Sequence, residues 1–108
     1  MGKAQIYIDG SNFPDENFRT YLLSQPYGAD QVITYGELAQ ISSLKIDNCG
    51  VKDLTGIGLL YTVKRLECQG NELSSLDLSR NYNLEYLDCS GNKLTSLGIS
   101  NCTELTIL

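Results

Sequence analysis

Four cysteines, thirteen carboxylates and not one histidine define the chemistry open to this 108-residue chain. Without imidazole there is no His base, no His-activated nucleophile and no His metal ligand. Cys49, Cys68, Cys89 and Cys102 contain no C-x-x-C spacing, so the usual zinc arrangement is missing. Glu67 and Asp88 could form a carboxylate pair, but acid–base work needs a pocket that shifts at least one pKa. Both fall where an open face is expected. Asp30 and Glu37 invite a calcium reading, as positions 5 and 12 of an EF-hand loop beginning at Pro26. Gly28 would then be position 3, and Gln31 would stand where that loop requires glycine. Two carboxylates do not replace the missing ligands. No catalysis, metal or cofactor is expected.

The spacing that must position these groups is far more legible. Val63, Leu66, Cys68, Asn71 and Leu73 follow L-x-x-L-x-L-x-x-N-x-L. Leu84, Leu87, Cys89, Asn92 and Leu94 repeat it 21 residues later, and Ile41, Leu44, Ile46, Cys49 and Val51 precede it by 22. Three copies in one register are the leucine-rich repeat pattern. The fold class is therefore α/β: a leucine-rich repeat solenoid with short parallel strands in about three 21–22-residue coils. A helix–loop–helix cap precedes it. Residues 1–40 form the cap and 41–108 the repeats, in one continuous domain.

L-x-L alternates with period two, so each copy opens with a short strand. Leu66 and Cys68 point inward; Arg65, Glu67 and Gln69 point out. The x-x-N that follows must turn. Asn48, Gly70 and Gly91 share one slot there, and Asn and Gly are the residues that tolerate positive φ. The next slot holds Cys49, Asn71 and Asn92, a structural ladder whose inward amides can bond the backbone groups the turn leaves unpaired. Leu73, Leu76, Leu78 and Asn81 repeat the strand spacing half a period later, as do Leu94, Leu97, Ile99 and Cys102. The return side is thus predicted to carry short strands rather than helices. All four cysteines occupy repeat positions. Cys68 and Cys89 should sit roughly 5 Å apart on adjacent strands, which permits a bridge. Reduced, buried thiols are expected, because the pattern already calls for small apolar residues there.

Upstream, Ala4 to Asp9 alternates like a short strand. Ser11 to Ser24 reads as a helix with Pro14 at its first position, Asp15 and Glu16 facing the positive dipole end, and Phe18, Tyr21 and Leu22 on one face. That face should cover the open end of the solenoid. Thr34 and Glu37 form a capping box for a short helix through Leu38 and Ala39. Between Val51 and Val63 the first coil is irregular, with Gly56 and Gly58.

NFPDENFRTYLL, a degenerate helix–loop–helix and repeats of the type LEYLDCSGNKLTSL resemble leucine-rich repeat proteins of anaerobic gut bacteria, among them large surface proteins related to internalins and adhesins. The resemblance implies a bacterial, secreted or surface-attached binding module, with a cytoplasmic setting as the alternative, since no hydrophobic stretch follows Met1–Ala4. A net charge of −5 argues against nucleic acid as the partner, and no apolar run approaches a membrane span. A protein partner is expected on the outward strand columns: Ser43, Arg65, Tyr86 and Ile107; Lys45, Glu67 and Asp88; Asp47, Gln69 and Ser90. Tyr86 and Arg65 are the expected anchors, and Lys45–Glu67 a weak surface pair. The alternative function is a structural spacer in a larger surface protein. Leu105-x-x-Leu108 starts another strand, so self-association through an uncapped C-terminal end is also expected.

Overall fold

The computed structural model describes residues 5–99 and the backbone of residues 106–107. Strand β1 (Gln5–Tyr7) pairs antiparallel with β2 (Val32–Thr34). Between them lie helix α1 (Glu16–Leu23) and a 3-10 turn at Pro26–Gly28, and helix α2 (Tyr35–Leu38) follows β2 directly. The front sheet is parallel. Its strands β3 (Ser43–Lys45), β4 (Arg65–Glu67), β6 (Tyr86–Asp88) and β8 (Thr106–Ile107) come in that spatial order. On the return side β5 (Ser75–Asp77) and β7 (Ser96–Gly98) form a separate parallel pair, as the half-period repeat predicts.

The solenoid interior is a column of Leu44, Leu66 and Leu87 from the front, with Leu54 and Leu76 from the return, all buried. Burying each such side chain stabilises by about 1.5–3 kcal/mol relative to exposure. Asn48, Gly70 and Gly91 adopt φ of 56°, 71° and 68° in their common slot. A Cβ at Gly70 would collide with the Asn48 side chain, so stacking as well as φ selects glycine there.

α1 is shorter than the sequence suggests. Asp15 is its N-cap, with Oδ1 accepting from Asn17 N at 2.8 Å and Phe18 N at 3.1 Å. Pro14 therefore stands before the cap instead of at the first helical position. Upstream, Asp9 Oδ1 takes the N–H groups of Ser11 and Asn12 and folds that stretch into a turn. Two side-chain acceptors thus claim the donors a longer helix would need. Phe18 and Leu22 are fully buried, Phe13 meets Phe18 edge to face at 5.3 Å, and one continuous core runs from Ile8 to Leu87.

Polar stitches join this N-terminal segment to the first coil. Asp15 Oδ2 accepts from Lys52 N at 2.8 Å and Asp53 N at 3.0 Å, and Asn17 Nδ2 donates to Gly50 O at 3.0 Å. The Tyr21 hydroxyl accepts from Lys45 N at 3.1 Å. The Thr34–Glu37 capping box forms, with Thr34 N donating to Glu37 Oε1 at 2.9 Å, which commits Glu37 to the backbone. Among the described residues no cluster of three or more His, Cys, Asp or Glu is placed to hold a metal, and no helix is long and apolar enough to cross a membrane.

Candidate interaction face

Side chains at the second and third coils order the front face. Register pairs Arg65 with Tyr86 and Glu67 with Asp88 across β4 and β6, and Ser43 with Arg65 and Lys45 with Glu67 across β3 and β4. The Arg65 guanidinium lies 3.8 Å from the centroid of the Tyr86 ring, and its Nε donates to Glu67 Oε2 at 3.0 Å. That bond, ahead of the tyrosine, holds the Arg65 pKa above its ordinary value. The expected Lys45–Glu67 pair does not form. Arg65 and Glu67 share one face of one strand, two residues apart, and this is the ion pair found among the described residues.

The third column lies just past the strand ends, where Asn48 N bonds Gln69 O and Gly70 N bonds Ser90 O. Asp47 Oδ1 and Gln69 Oε1 are shielded from solvent and have no hydrogen-bond donor. Asp88 Oδ1 accepts from the Ser90 hydroxyl at 2.7 Å. Lys45 and Ser90 are exposed. Tyr86 is in register with Thr106, and Ile107 with Leu87. The last coil is one residue shorter than the one before it, so the first column continues to Thr106 and not to Ile107. Leu105, Leu108 and Cys102, and with them the expected self-association, lie outside the described residues.

Behind the face runs the ladder. Asn71 Oδ1 accepts from Cys49 N and Val51 N, each at 3.0 Å, and its Nδ2 donates to Ile46 O at 2.7 Å and Cys68 O at 2.9 Å. One buried amide thus closes its own turn and the turn of the preceding coil. Asn92 does the same a coil later, through Leu73 N, Cys68 O and Cys89 O. Cys49 occupies the slot in the first coil, its thiol donating to Asp47 O at 3.3 Å. On the return side the buried Asn81 amide donates to Ile57 O and Leu60 O. Cys68 is a buried free thiol just past the end of β4, and Cys89 takes the same place just past β6. Burial, with Cys89, Asp88 and Asp47 nearby, pushes Cys68 up to about 12. Burial and then Asp88 raise Cys89, while burial and then Asp47 raise Cys49.

Sequence reasoning read Asp15 only as a complement to the helix dipole and missed its grip on the first coil. The signal available was its place just after proline and before a helical run, which marks an N-cap. Nothing local shows the reach to Lys52.

A parallel front sheet built of one short strand per coil and a ladder of inward asparagines define a leucine-rich repeat protein. No family model matches the sequence. Over 81 residues, 74% of the chain, it is 39% identical to internalin J of Listeria monocytogenes serotype 4b (strain F2365), and to the same extent to internalin J of serovar 1/2a (strain ATCC BAA-679 / EGD-e). The chain spans 9% of the length of these curated relatives. Among solved structures, the functional domain of InlJ from Listeria monocytogenes, described as including a cysteine ladder, superposes with a TM-score of 0.81 at 34% identity. That match covers 100% of this chain and 24% of the other. An internalin, InlF of Listeria monocytogenes strain 4b F2365, superposes at 0.59 with 20% identity, covering 97% and 45%, which is a likeness of fold alone. The chain is an internalin-like leucine-rich repeat protein.

Proposed function

We propose that the chain is a non-catalytic binding module that holds a protein partner on its front face, outside the cell or at its surface. Lys45, Asp47, Arg65, Glu67, Gln69, Tyr86, Asp88 and Ser90 make the contact surface. The carrying observation is the Arg65–Tyr86 stack at 3.8 Å, already ordered by Glu67. A preordered pair loses little rotamer freedom on binding, and Arg and Tyr are enriched among interface hot spots. In this reading residues 1–40 are a cap and 41–108 the repeats, in about three coils. The likeness to internalin J supports the extracellular setting.

The competing reading is a spacer within a larger surface protein, favoured by the small share of the relatives' length that the chain spans. Partner capture by the full-length natural protein separates the two. Tyr86→Ala and Arg65→Glu should each reduce capture about tenfold, the equivalent of 1.4 kcal/mol, with unchanged thermal unfolding. Equal capture after deletion of these repeats would assign them the spacer role.

A further inference from the structure

The return side holds an uncovered strand edge with a groove beside it. β5 is paired on one flank only, by β7. Ser74 O and Leu78 N bond Thr95 N and Gly98 O across that pair. In a parallel ladder the alternate residues, Ser75 and Asp77, aim their N–H and C=O groups the other way, toward the first coil. That coil supplies no strand there. It bends at Gly56, with φ of 105°, and continues as a 3-10 turn at Ile57–Leu59. Among the described residues no backbone bond joins residues 52–60 to Ser75–Asp77.

The resulting groove, about 380 Å³, runs between residues 53–59 and residues 75–80. Buried Leu54 and Leu76 lie at its floor and Leu59, 40% exposed, on its wall. Asp53 and Asp77 stand on the rim. Ser79, by its hydroxyl and then its N–H, holds the Asp77 carboxyl below its ordinary range and so charged. The Arg80 stem closes one end against Gly58, where an added Cβ would come within 3.2 Å of Arg80 Cβ.

We propose that this groove takes an extended peptide of a partner protein, which adds a strand to β5, lays small apolar side chains over Leu54 and Leu76 and sets a Lys or Arg beside Asp53 and Asp77. A row of unpaired N–H and C=O groups is the chemistry an added strand answers, and the adjacent volume leaves room for one. Two rim carboxylates against the single positive charge of Arg80, whose field Asp77 already feels, leave the rim net negative and select the basic residue. This site lies away from the front face and does not depend on the function proposed for it.

The probe is an acetylated, amidated hexapeptide alternating Thr and Val with one central Lys, titrated into 15N-labelled protein. Amide shifts are expected at Ser75, Asp77 and residues 53–58. N-methylation of the peptide's alternate amides, which leaves the protein untouched, should weaken binding about tenfold, the scale of losing one or two hydrogen bonds. Exchanging the peptide Lys for Glu should weaken it too, and Asp77→Lys on the protein should restore the Glu peptide. No shifts at millimolar peptide, shifts indifferent to both N-methyl sets, or shifts confined to the front sheet overturn the proposal. So does a concentration-dependent dimer abolished by Asp77→Lys, which would mean that the edge pairs with a second copy of the chain.

Discussion

The first two coils share a front half and part company on the return. Leu44 and Leu66 take the same inward place on β3 and β4, and Leu54 and Leu76 open the two return sides alike, all buried. From there the second coil runs straight as β5 while the first bends through Gly56 into a 3-10 turn. The reason lies in their neighbours. The second coil stacks on a third with the same outline, so its return strand gains a partner in β7. The first meets the N-terminal segment, where Gly56 lies against Asn12 O and the Phe13 ring. Its return is shaped by the surface it must fit more than by the repeat it belongs to.

The strongest way to break that account is Gly56→Ala. The new Cβ would clash with Asn12 O and Phe13, at a φ that L residues avoid. Together these should cost roughly 2–5 kcal/mol. Gly58→Ala, two residues on, has an ordinary φ and brings its Cβ to 3.2 Å from Arg80 Cβ without meeting backbone, so it should cost less, about 1 kcal/mol. Urea unfolding of both variants makes the comparison, and equal midpoints would show that the N-terminal contact does not pin the first coil.

The next effect compares two rungs of one ladder. Asn71→Ala strands Cys49 N, Val51 N, Ile46 O and Cys68 O in the interior, where water does not replace the amide. We expect a loss of about 1–3 kcal/mol. Asn92 is only half-buried, so Asn92→Ala should cost less. Thermal unfolding that ranks them the other way would mean that burial does not set the ladder's strength.

The front strands, their inward columns, the positive-φ slot and the return strands were all legible in the sequence, because each is fixed by spacing within a single coil. The misses share a different cause. The late start of α1, the Asp15 clamp on Lys52 and Asp53, the β1–β2 pairing and the groove beside β5 arise from contacts between segments far apart in sequence. Glu67 pairs with Arg65 although Lys45 is its register partner on β3, a choice of rotamers that spacing does not encode. Ile107 was assigned to the wrong column because the last coil is a residue short, and a one-residue slip moves every position to the other face.

A smaller effect contrasts Cys68 with Ile46, its counterpart on the first coil. Burial pushes the thiol from 9.0 up to about 12. Above pH 9 the unfolded chain gives up a proton that the native chain keeps, so stability present below pH 9 falls as pH rises toward 12. The slope should approach about 1.4 kcal/mol per pH unit. Cys68→Ala should flatten it between pH 9 and 10, below the range where tyrosines add their own titration. Parallel slopes for the two proteins would place the thiol in contact with water. Labelling gives an independent check: Cys68 should resist thiol reagents until the protein is denatured, without reductant. A thiol that appears only after reduction would reveal a bridge to Cys89.

The smallest effect separates the outside of β4 from its inside. Arg65 and Glu67 flank Leu66, but their pair is half-exposed, with side chains 50% and 18% accessible. Solvent screens such a pair, which is worth about 0.2–1 kcal/mol. A double-mutant cycle with Arg65→Met and Glu67→Gln should return a coupling in that range, and added salt should shrink it. The inward neighbours should behave differently, since Asn71→Ala depends on buried bonds and its cost should hardly respond to salt. A front-face coupling well above 1 kcal/mol and indifferent to salt would mean that Arg65, Glu67 and Tyr86 are a structural unit. The stack would then owe its geometry to stability, and Tyr86→Ala would have to lower the unfolding midpoint by a similar amount. A small, salt-sensitive coupling leaves the trio as what the fold can spare, an ordered surface group whose loss the core does not feel.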